Sequence, residues 1–115
     1  MLPQWRKVMT AALVTTAVLG LPGLAHAASP SVQLELCNNE SQTGVFEITG
    51  LNQHNARVSS PQYDIRGRQC RIFGNWWWKT DQWVRIAVRR NSLNIGEFHI
   101  DSNDRDGSTV RHWVR

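Results

Sequence analysis

Four of the chain's six tryptophans fall between Asn75 and Val88, and the run of Trp76, Trp77 and Trp78 leads into a strictly alternating segment. From Gln82 onward, Val84, Ile86 and Val88 lie on one side and Trp83, Arg85 and Ala87 on the other. That period of two is the pattern of a strand with one buried face. Three consecutive indoles cannot all point inward from an extended chain, so at least one is expected off the core face. We assign Trp77 and Trp83 to the core or its margin and leave Trp76 and Trp78 more exposed.

The rest of the chain reads in the same terms. Val32, Leu34 and Leu36 alternate with Gln33, Glu35 and Cys37, a first strand that ends in the turn-prone Asn38 to Ser41. Gly44 to Leu51 is a second strand, with Phe46 and Ile48 inward and Glu47 and Thr49 outward. The short linker between the two suits a hairpin. After a polar turn at Asn52 to Asn55, Ala56 to Ser59 forms a short strand before Pro61, which cannot donate to a ladder. Tyr63 to Arg66 is a strand or an extended loop, and Gly67 permits a turn before Gln69 to Phe73. Beyond the strand at Gln82 to Arg89, a turn at Asn91-Ser92 leads into Asn94 to Ile100, where Ile95, Phe98 and Ile100 alternate imperfectly around Gly96. Asp101 to Gly107 is the strongest loop signal in the chain, and Ser108 to Val114 is the last strand. No window after Ala27 carries a helical stripe. Short strands at roughly 8–12-residue spacing indicate an all-β domain, a small antiparallel β-sandwich or barrel.

Residues 1–27 read differently. Arg6 and Lys7 precede an uncharged, mostly apolar run from Val8 to Leu24, and Ala25-His26-Ala27 places small residues where a signal peptidase reads. This is a helical secretory signal peptide with the cut expected after Ala27. A spanning helix needs about 20 apolar residues, and Gly20-Leu21-Pro22-Gly23 interrupts this one too early. No later segment approaches that length, so the mature domain, residues 28–115, is expected to be secreted and soluble, without stable membrane insertion.

Cleavage leaves eleven basic residues, ten of them arginine beside the single Lys79, against nine acidic ones, a net charge of +2. So small an excess on an exported protein argues against nucleic acid as partner. Both cysteines, Cys37 and Cys70, remain, and an even count in an exported small domain reads as a disulfide. Closing a loop of about 34 residues contributes roughly 3–4 kcal/mol in the chain-entropy model. Two cysteines without nearby histidines make a poor zinc site.

Three constellations bear on function. Indole faces stack on sugar C–H faces and on cations, so Trp76 and Trp78 beside Arg71, Lys79 and Arg85 form a candidate site for an extracellular glycan. Tight packing of a small core accommodates the same indoles. His54, His99 and His112 supply acid–base groups: His99 and Asp101 share a strand face, and His112 is expected across the hairpin. No nucleophile elbow accompanies them, and a disulfide removes the cysteine nucleophile. Finally, Asp101, Asn103, Asp104 and Asp106 surround Gly107, but the calcium-loop pattern requires glycine at its sixth position and glutamate at its twelfth. Counted from Asp101 those positions hold Asp106 and His112, so no metal or other cofactor is expected.

With Cys37-Asn38-Asn39 near the first strand, Gly67-Arg68-Gln69-Cys70 before the aromatic run and Val84-x-Ile86-x-Val88, residues 32–115 resemble small exported proteins of actinobacteria. The resemblance implies export and a one-disulfide β-sandwich, mostly without an assigned activity, and carries over no functional residue. The combined expectation is a secreted, non-catalytic binding protein for a polysaccharide. The alternative is a secreted protein-binding factor, an inhibitor or toxin.

Overall fold

The computed structural model describes residues 28–115, and the expected signal peptide, residues 1–27, lies outside the described residues. Nine strands follow one another: β1 (Ser31–Asn38), β2 (Gly44–Leu51), β3 (Arg57–Ser59), β4 (Tyr63–Ile65), β5 (Cys70–Ile72), β6 (Trp78–Lys79), β7 (Gln82–Arg89), β8 (Leu93–Ile100) and β9 (Thr109–Val114). Among the described residues there is no helix.

The strands form two sheets. In the first, β5 and β6 succeed one another along one edge of β1, both antiparallel, while β9 runs parallel along its other edge. In the second, β3 and β4 share one edge of β2, with β7 on its other edge and β8 outermost. The all-β, two-sheet, one-disulfide architecture is the one the alternation implies. Each sheet turns one phase of its pattern inward: Val32, Leu34 and Leu36 from β1 meet Phe46 and Ile48 from β2 and Val84, Ile86 and Val88 from β7, all buried. Full burial of an aliphatic or aromatic side chain contributes about 1.5–3 kcal/mol, so this interlayer is the main stabilising element. Register settles the ambiguous phase of β8. Phe98 stands opposite Val84 on the inner side, whereas Ile95, opposite Ala87, faces out.

Cys37 and Cys70 are bonded and are direct register partners on β1 and β5, with Cα atoms 3.9 Å apart. The disulfide thus ties the first strand to the one before the tryptophans, as the sequence implies.

Two expectations about connectivity are corrected. β1 and β2 form no hairpin, because they belong to different sheets. The link between them arches over the end of the sandwich, fastened by the buried Asn38. Its Nδ2 donates to the carbonyls of Gln42 (2.8 Å) and Ile65 (2.9 Å), and its Oδ1 accepts from Glu40 N–H (3.1 Å) and Arg90 Nη2 (2.7 Å). Likewise β9 is no hairpin partner of β8. The Asp101–Ser108 loop carries the chain to the other sheet, where Ser31 N–H donates to Asp106 Oδ1 (2.9 Å) and Gly107 N–H to the Ser31 carbonyl (2.8 Å). The strand then lies parallel to β1, the one departure from an antiparallel plan. A parallel neighbour requires this kind of crossover.

Close approach fixes Gly67. A Cβ there would overlap the backbone carbonyl of Ser41 in the arch above it.

Candidate functional site

The tryptophan segment is held at both ends. Phe73 sits in the core with its ring edge-on to Tyr63 (5.1 Å between centroids), and its N–H donates to the Leu34 carbonyl (2.9 Å). Asn75 then takes a left-handed conformation, φ 65°, with its N–H on Gln33 Oε1 (2.7 Å). Asparagine tolerates that region better than most residues. Past this turn, β6 docks on β1 with Trp78 opposite Val32.

The expected split is reversed for Trp78 and Trp83, and it does not separate Trp76 from Trp77. Trp78 has no exposed surface, Trp76 and Trp77 are half-buried, and Trp83 is 64% exposed. Trp83 occupies the outer phase of β7, since Val84, Ile86 and Val88 take the inner one. A fully buried ring presents no face to a ligand, so Trp78 is withdrawn from the candidate site and Trp77 joins it. Trp78 instead backs Trp76, whose ring stacks on it at 6.1 Å and 21°.

Trp76 and Trp77 open onto a cavity of about 170 Å³ with Asn52, Gln53, Val58 and Asn75. Sequence separation hides this grouping, because Asn52 and Gln53 come from the β2–β3 turn, while Asn75 and the indoles come from the β5–β6 connection. A single bridge between Asn52 and Trp78 brings the two segments together. Gln82 reinforces it: its Nε2 donates to the carbonyls of Leu51 (2.7 Å) and Lys79 (2.8 Å) while its Oε1 accepts from Leu51 N–H (2.9 Å). Within the turn, Asn52 Oδ1 accepts from the backbone of His54 (2.8 Å) and Ala56 (3.1 Å). Lys79 Nζ donates to Asn55 Oδ1 (3.0 Å), which places Lys79 as a brace of the turn beside the cavity.

The two expected arginines go elsewhere. Arg71 lies over the Tyr63 ring, 4.0 Å from its centroid. Arg85 projects from the outer face of β7 opposite Glu97. There it shares a second hollow with Val45, Glu47, Ala87, Leu93 and Ile95. Of the five predicted ligand residues, then, only Trp76 lines the cavity and Lys79 supports it. The sequence offered Asn52 and Gln53 as a polar turn, with nothing to mark them as partners of the indoles.

A second cavity, of about 250 Å³, lies between the outer strands β8 and β9, floored by Ile86, Val88 and Val114 and flanked by His112 and Trp113. It is the open margin of the sandwich. His112 stacks on Phe98 (4.1 Å, 24°), and burial pushes its pKa below the usual histidine value. His99 is on the opposite face of β8, against Trp83 (5.0 Å) and 3.9 Å from Asp81 Oδ1. His54 belongs to the β2–β3 turn. The expected meeting of His112 with His99 and Asp101 is therefore corrected, since His112 reaches β8 from the other sheet and on the inner side. Among the described residues no hydrogen bond joins a serine hydroxyl to a histidine ring, and no group of three or more His, Cys, Asp or Glu is placed to hold a metal. In the acidic loop the carboxylates serve the backbone, Asp104 Oδ2 accepting from Asp101 N–H (2.9 Å) and Asp106 from Ser31.

The cavity at Trp76 and Trp77 thus gathers two indoles with Asn75, with Asn52, whose Oδ1 is engaged within its own turn, and with Gln53, whose Oε1 accepts from Ser31 Oγ (3.4 Å) and whose Nε2 lies 3.4 Å from His54 Nε2. No family model matches this chain, and no curated protein and no solved structure matches it either.

Proposed function

We propose that this protein is a secreted, non-catalytic binding module for an extracellular or cell-wall polysaccharide, held at Trp76 and Trp77. One observation carries the reading: two half-exposed indoles share a cavity with Asn52, Gln53 and Asn75. A sugar ring presents C–H groups on its faces, which suit an electron-rich indole, and hydroxyls around its rim, which suit groups that both donate and accept. The disulfide and the signal-like leader support export.

Retention on insoluble polysaccharides tests this. With about 1 kcal/mol for each aromatic contact, the Trp76→Ala, Trp77→Ala double variant is expected to bind roughly 30-fold more weakly. The Trp83→Ala variant, altered on another face, keeps full affinity. Equal retention by the double variant and the wild type refutes the reading.

A second reading, a protein-binding factor, draws on the outer face of the second sheet. There Trp83, Leu93 (47% exposed) and Ile95 (53%) lie among Arg85 and Arg89. Tryptophan and arginine dominate the energetics of protein interfaces. Under this reading Trp83→Ala is the damaging change and the Trp76, Trp77 pair is neutral, so the two variants separate the alternatives.

A further inference from the structure

We infer that the Trp76–Trp77 cavity takes a single pyranose ring that carries no charge, an inference that rests on the polysaccharide reading above. Size sets the first limit. The space, about 170 Å³, is a depression open to solvent rather than an enclosed cavity. That volume suits one six-membered sugar and falls below the several hundred Å³ typical of sites for larger ligands.

Charge sets the second limit. The lining consists of two indoles, three carboxamides and Val58, with no ionisable side chain among them. Lys79, beside the turn, has its ammonium on Asn55 Oδ1 at 3.0 Å. A uronate or a sugar phosphate seated here would lose water without gaining a counter-charge, which disfavours it. An amino sugar would meet aromatic faces but no carboxylate, and Trp76 already gives one face to Trp78. Hydroxyls fit best. Each is both donor and acceptor, and so is the carboxamide of Asn75, whereas Asn52 Oδ1 and the Gln53 carboxamide already have partners.

Asn75 is the specificity-determining side chain. Its backbone N–H is spent on Gln33, whereas its carboxamide makes no hydrogen bond to the described residues, and Asn75 is among the residues that line the cavity. It also offers a clean probe, because glycine accepts φ 65° without strain and keeps the backbone bond.

Titration calorimetry with soluble polymers tests the inference: a neutral glucan, mannan and xylan, polygalacturonate as the polyanion, and chitosan as the polycation. At least one neutral polymer is expected to bind, with affinity unchanged within about twofold between roughly 20 and 500 mM NaCl, since no charge pair is there to be screened. Asn75→Gly is expected to weaken that binding about three- to tenfold, the worth of one neutral hydrogen bond, with its urea midpoint unmoved. Binding confined to polygalacturonate or chitosan, salt-sensitive and abolished by Trp77→Ala, overturns the neutral-sugar inference while leaving the polysaccharide reading in place. Wild-type affinity in Asn75→Gly overturns the role of its carboxamide. Binding to none of the polymers removes the polysaccharide reading itself.

Discussion

Trp78 and Trp83 carry the same side chain into opposite environments, one with no exposed surface and the other 64% exposed. Their energetic roles differ accordingly. Trp78→Ala is expected to lower stability by about 3–5 kcal/mol through lost burial and the void left behind. Trp83→Ala is expected to change it by no more than about 0.5 kcal/mol. Urea unfolding of the two variants measures the difference, and comparable losses would contradict the burial described here. Trp78 contributes through its area alone, because its indole N–H is buried and meets no acceptor among the described residues. Such a donor ordinarily carries a penalty of about 1–3 kcal/mol. The packing of the ring against β1 and Trp76 outweighs it.

Among the elements, β8 and β9 form the open side of the sandwich, and they meet through Phe98 and His112. Burial lowers the His112 pKa below the ordinary histidine value of about 6.5, so the folded protein resists protonating a ring that the unfolded chain protonates freely. The stability tied to the neutral imidazole is present above about pH 6.5, the ordinary histidine value. It is lost as the pH falls through that value, and the loss levels off below the lowered folded pKa. Urea midpoints for the wild type are therefore expected to drop on acidification from neutral pH. In His112→Gln, which cannot titrate, that part of the slope vanishes. An identical pH profile in the variant would show that the β8–β9 contact does not feel the proton.

For the molecule as a whole, the disulfide is a constraint on the unfolded chain. Cys37 and Cys70 are already register partners within one sheet, so the bond adds no new contact between layers. Its effect is to remove conformations from the denatured ensemble, worth about 3–4 kcal/mol for a loop of this length. Against the roughly 5–15 kcal/mol typical of a domain, that is a large share. Unfolding in urea with and without reductant is expected to show a loss of about that size. A midpoint unchanged by reduction would mean that the sheets alone supply the stability.

The sequence by itself determined the longer strands, the buried phases of β1, β2 and β7, and the cysteine pairing. Those properties are local: the period of two in Val84, Ile86 and Val88 or in Phe46 and Ile48 reports which side faces the core, wherever the strand lies. The alternation in β7 also puts Trp83 on the solvent side, against its assignment to the core or its margin. Which sheet each strand joins was not legible, because period two is the same in a hairpin and in an arch between layers. The parallel β9, the two-residue β6 and the burial of Trp78 all follow from long-range pairing with β1. The candidate site belongs to the same class. Asn52, Gln53, Asn75, Trp76 and Trp77 are neighbours only because one backbone bridge and the Gln82 amide draw the β2–β3 turn against the tryptophan segment. No spacing along the chain encodes a contact made between layers.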